Sequence, residues 1–162
     1  MRQILKFSHS MAAIGLLGSI IMLFVLHQQL PDPSQSIDIY ASFRQSMERI
    51  ASLVLLPSLM LTVISGLFSM AVMSGFHDSS WAWVKLLSSV VILEGSLLGI
   101  QGPIEKEAAL AHAALSETGL IESLSQHSLS EQRSLILIGF AATLNVALGV
   151  WRPKFGSLTA SS

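Results

Sequence analysis

The stretch MERIASLVLLPSLMLTVISGLFSMAVM, Met47 to Met73, decides the fold. It opens on a charged pair, Glu48 and Arg49, and then runs apolar for more than twenty residues. A helix needs ~20 apolar residues to cross the hydrocarbon core of a bilayer. One stripe of it is polar. Ser58, Thr62, Ser65 and Ser69 recur at steps of four, three and four, so they share a helix face. Pro57 and Gly66 lie on the same segment. Small and hydroxyl residues on one face let helices approach closely, so this stretch reads as the inner helix of a small membrane bundle, kinked at Pro57.

Composition agrees. Of 162 residues, 51% are hydrophobic and 12% charged, whereas soluble domains carry ~25% charged residues. The net charge of −1 argues against a nucleic-acid binder. With no cysteine, disulfides and thiolate chemistry are excluded. No phosphate loop, dinucleotide fingerprint or zinc-protease motif is present.

Three more apolar runs flank the organising one. The first, about 4–26, follows Arg2 and Lys6. A cleaved signal peptide is its alternative reading, but the run is long for one and lacks a small-residue cleavage site. Pro31, Asp32, Pro33 and Ser34 then form a turn, and Ile37 to Met47 suits a short interfacial helix. The second span is about 50–73. The turn from Ser74 to Ser80 makes the next helix an antiparallel neighbour, with Asp78 or Ser79 as its cap. Trp81 and Trp83 then stand where an aromatic belt lies.

The third span is about 82–101. Lys85, Ser88, Ser89, Ile92, Gly95, Ser96 and Gly99 share its inward face, and Gly95 with Gly99 makes a GxxxG pair. Glu94 points the other way, among Leu87, Val90, Val91 and Leu98. Pro103 to Glu117 reads as an extra amphipathic helix, extending the span or lying on the membrane. Ser128 and Glu131 suggest a capping box for a fourth span at about 134–151, where Ala141, Asn145 and Gly149 share a face. The expected fold is an all-α, four-helix transmembrane bundle in one domain. Four spans put both termini on one side, and the slight basic bias of that side favours the cytoplasm.

Ionisable residues inside a membrane are functional candidates. His9 lies about one turn inside the first helix and could ligate haem iron; its plainer role is an interfacial hydrogen bond. Lys85 could partner an anion, such as a haem propionate or a carboxylate, or simply snorkel to the interface. Glu94 could relay protons. Arg49 begins the second span on the side opposite Lys85, so the two cannot clamp one small anion. Asn145 reads as interhelical glue.

Several short motifs fall in a telling order: Leu5-Lys6-Phe7-Ser8-His9; Glu48-Arg49; Leu56-Pro57-Ser58; Ser65-Gly66-Leu67; Trp81-x-Trp83-Val84-Lys85-Leu86; and Val150-Trp151-Arg152-Pro153-Lys154-Phe155. This order resembles a superfamily of small four-helix bacterial integral membrane proteins. The superfamily includes the membrane protoporphyrinogen oxidase and copper-resistance D families and relatives of unknown function. The resemblance implies an inner-membrane location and, through the oxidase family, haem b with functional positions at His9, Arg49 and Lys85. The third-helix His of that family has no counterpart here, where Glu94 and Gly95 stand.

Three functions are therefore expected in competition. One is a non-enzymatic membrane subunit or homo-oligomer packing through its Gly/Ser faces. The second is a haem-binding redox protein with His9 as axial ligand. The third is a small transporter using Glu94. A cavity joining His9 and Lys85 would favour the second, and tight packing there the first.

Overall fold

In the computed structural model of the chain, residues 2–72, 80–124 and 128–151 are described. They are helical almost throughout, with no strand among them. Helix α1 is Arg2–Gln28. Helix α2, Ile37–Ile50, runs through a π turn at Ala51–Leu55 into α3, Leu56–Val72. Helix α4, Ser80–Ser96, runs through a second π turn at Leu97–Gln101 into α5, Gly102–Ala114. A 3₁₀ turn at Thr118–Leu120 and the short α6, Ile121–Leu124, lead to α7, Ser128–Trp151.

Four candidate spans are long and apolar enough to cross a membrane: Gln3–Gln28, Ile37–Ala71, Ala82–Ala114 and Ile121–Trp151. Each is apolar for a local reason. The side chains of α1 and α3 are mostly aliphatic, with Ala, Met and Phe among them, and Ser19, Thr62, Ser65 and Ser69 return their protons to their own helix. Thr62 bonds the Ser58 carbonyl and Ser69 the Ser65 carbonyl, at 2.8 Å each. Such back-bonding satisfies a hydroxyl without a partner helix.

The four stretches close a ring. α1 packs on α3, α3 on α4, α4 on α7, and α7 on α1. Leu16, Ile20 and Leu23 of α1 meet Leu55, Leu59, Ile92, Ile100, Leu135, Ile138 and Ala142 in one buried cluster. The small-residue faces lie inside this ring. A Cβ on Gly15 would run into the Ser58 hydroxyl, and one on Gly99 would stand 3.1 Å from that of Ser134. Gly95 of the GxxxG pair faces Ile138 of α7 in the same seam. Gly66, by contrast, faces open space.

A π turn at Ala51–Leu55 immediately precedes the stretch holding Pro57, where a kink is expected. The proline ring clashes with the carbonyl four residues back, and one extra residue in the preceding turn relieves that clash. Pro103 follows the second π turn in the same way.

At the end of the bundle that holds both π turns, α2 packs along α5. Tyr40, Ala41, Ala111, Ala114 and Leu124 form a second apolar cluster there. The helix expected after Pro103 thus continues the third stretch and docks on α2, burying Ile104, Glu107, Ala111 and Ala114. The turn from Ser74 to Ser79, including the expected cap, lies outside the described residues, as do the side chain of Trp81 and residues 152–162.

Candidate functional site

His9 is held by two acceptors on α3. Its Nδ1 lies 3.2 Å from the Thr62 carbonyl and 2.9 Å from Ser65 Oγ. The Ser65 hydroxyl spends its own proton on the Thr62 carbonyl, at 3.1 Å. A carbonyl only accepts, so Nδ1 must carry the imidazole proton. In the neutral ring the lone pair is then on Nε2.

Lys85 enters from the start of α4. Its ammonium lies against Gly149 of α7, where any Cβ would collide with it. Ser88 and Ser89, a turn further on, both donate to the Lys85 carbonyl, at 2.9 and 2.8 Å. Asn145 of α7 donates from Nδ2 to Ser89 Oγ at 2.9 Å. Its Oδ1 is buried and has no hydrogen-bond partner. That is a costly arrangement, since an orphaned buried acceptor loses ~1–3 kcal/mol.

These groups share one cavity of about 40 Å³ between α1, α3, α4 and α7. His9, Thr62, Lys85, Ser89 and Asn145 supply its polar wall; Leu16, Leu59, Val63 and Ile92 are among its apolar lining. One water needs ~10–15 Å³ of such space, so the cavity accepts a few heavy atoms. It joins His9 to Lys85, the juxtaposition the sequence raised as a test.

The other candidates lie elsewhere. Glu94 is exposed on the outer face of α4, beside Leu87, Val91 and Leu98, which are 67, 61 and 72% exposed. Arg49 is exposed at the end of α2. Neither reaches the cavity lining.

No match to the chain is found among family models, curated proteins or solved structures. The resemblance to the four-helix superfamily stands on its motif residues alone.

Those residues do not fit haem. A cofactor-sized pocket runs to ~300–1,000 Å³, an order of magnitude above this cavity. His27 and His112 lie toward the other end of the bundle, on α1's last turn and α5's last turn. His77 and His127 lie outside the described residues. Among the described residues no cluster of His, Asp or Glu could hold a metal ion.

A second polar centre, unforeseen in the sequence, lies at the α2–α5 end. Arg44 is wholly buried, and so in effect are Glu107 and Glu131. Arg44 Nη1 meets Glu131 Oε2 at 2.7 Å, while its Nε donates to the Tyr40 hydroxyl at 3.0 Å. The Tyr40 hydroxyl in turn reaches Glu107 Oε2 at 3.5 Å. Glu107 stands 4.0 Å from Arg44 Nη2, which has no hydrogen-bond partner. His27 Nδ1 lies 3.3 Å from Glu131 Oε1. Arg44 and His27 each take one carboxylate oxygen of Glu131; the capping box expected of Glu131 also rests on the Ser128 side chain, which lies outside the described residues. The only sequence signal was the presence of ionisable residues at helical spacing beside alanines, on elements that read as surface.

Proposed function

We propose that the chain is a four-span integral membrane protein that binds the carboxyl group of a small organic acid, or a similarly small acidic molecule, in the cavity between His9, Lys85 and Asn145. The observation that carries this is the buried, unpartnered Asn145 Oδ1 on the wall that also holds the His9 ring. The site offers two acceptors, Asn145 Oδ1 and His9 Nε2, beside one ammonium. A carboxylic acid complements that set: its O–H donates to an acceptor while its other oxygen takes the lysine's charge-assisted bond.

The membrane assignment draws on the four apolar stretches and on the large aliphatic and aromatic side chains covering the outer face of the ring. In this reading the lipid bilayer is the partner of that face, and both termini share one side, assigned to the cytoplasm of an inner membrane.

The test is a formate titration of the detergent-purified protein carrying ¹⁵N-labelled histidine. The reading expects the His9 Nε2 resonance to move saturably, and the movement to vanish in Lys85→Met and to weaken in Asn145→Leu. A His9 resonance indifferent to formate, or moving equally in the Lys85→Met protein, overturns it.

A further inference from the structure

The two long helices change register by the same device at the same level. The Leu56 N–H bonds the Ala51 carbonyl, five residues back. The Gly102 N–H bonds the Leu97 carbonyl in the same manner. The next residue in each helix is proline, Pro57 and Pro103, which has no N–H to offer. The carbonyls next in register, those of Ser52 and Leu98, thereby lack that donor.

The two π turns face each other, and side chains join them. Gln101 Nε2 donates to Ser52 Oγ at 3.1 Å, and Ser52 Oγ donates to Glu48 Oε1 at 3.0 Å. Gln101 Oε1 is buried without a partner. Among the described residues Glu48 belongs to no ion pair. A carboxylate, a hydroxyl and a buried amide oxygen thus gather beside main-chain carbonyls that the prolines leave without their donor.

We propose that the facing π turns form a binding site for a monovalent cation, ligated by Glu48, Ser52 Oγ, Gln101 Oε1 and the Ser52 carbonyl. Hard cations take oxygen ligands, and a calcium site usually assembles 6–8 of them. One carboxylate with neutral oxygens matches a single charge. Half a turn of the Gln101 amide exchanges its nitrogen for its oxygen, and the cation then replaces the N–H that Ser52 Oγ now accepts. Irregular helical backbone whose freed carbonyls hold an ion is a known use of broken helices in membrane proteins. The site shares no residue with the His9 cavity, so each proposal stands or falls without the other.

Thermal unfolding of the detergent-purified full chain tests it, in sodium, potassium or choline chloride at one ionic strength. With the cation at tenfold its dissociation constant, the midpoint in sodium or potassium should exceed that in choline by about 3–6 °C. The difference should saturate with concentration and disappear in Glu48→Gln and in Gln101→Leu. Line broadening of ²³Na on the unmodified protein, relieved by excess potassium, gives a readout that needs no variant. Equal midpoints in all three salts with no sodium broadening, or a difference that survives Glu48→Gln, refute the site.

Discussion

Arg44 and Glu131 are 87 positions apart in the chain and meet at 2.7 Å with both side chains wholly buried. The pair bolts the start of α7 to α2, and through Tyr40 and Glu107 it reaches α5. Removing one partner of a buried pair strands the other charge, at ~3–5 kcal/mol. Arg44→Met strands two carboxylates and should be the most damaging change. Glu131→Gln should follow, and Glu107→Gln, whose oxygen stands 4.0 Å from the guanidinium, should be mildest. Unfolding midpoints of the three variants in detergent check the order; a Glu107→Gln protein less stable than Arg44→Met contradicts it.

Two glycines one turn apart on α1 should respond oppositely to alanine. At Gly15 the new methyl meets the Ser58 hydroxyl, whereas at Gly18 it meets nothing within 4 Å. Overpacking costs ~1–3 kcal/mol, while relief of a helical glycine gains up to ~1 kcal/mol. Gly15→Ala should therefore lower the unfolding midpoint and Gly18→Ala raise it. Equal shifts would mean that α1 and α3 do not approach closely at Ser58.

The hydrogen bonds around His9 fix its tautomer. In ¹⁵N spectra of histidine-labelled protein, Nδ1 of His9 should show the protonated, pyrrole-like shift and Nε2 the unprotonated one. Ser65→Ala should leave that pattern in place, because the Thr62 carbonyl still accepts from Nδ1. The opposite tautomer in the unmodified protein would remove Nε2 from the binding site.

Glu94 makes no hydrogen bond or ion pair within the described chain and faces outward among exposed aliphatic residues. Replacing it with leucine should leave the fold intact and the unfolding midpoint unchanged or higher, since a carboxyl at mid-helix depth is costly in lipid. Formate binding should also persist in Glu94→Leu. Loss of either property would bring back a functional role for this carboxylate.

The helices were legible because their signals are local. Apolar runs, the hydroxyl stripe on α3 and the inward face of α4 each depend on spacing along one segment. His9 and Lys85 were legible as candidates because a polar residue in an apolar run stands out, and their shared cavity follows from the closed ring. The α2–α5 end was not legible in that way. Tyr40, Arg44, Glu107 and Glu131 sit in stretches whose polarity resembles a solvated surface, and the sequence reads Glu131 as a cap.

By itself the sequence determined that four helices form and which faces of them carry small residues, because hydropathy and periodicity act over a few turns of one segment. Only the tertiary structure decided that those faces close on one another within a single chain, that one arginine gathers two distant carboxylates, and that two prolines set their π turns side by side. Those outcomes depend on which helices are neighbours and at what height. Neighbour and height are set by packing between segments dozens of residues apart, where no local pattern reports on the partner.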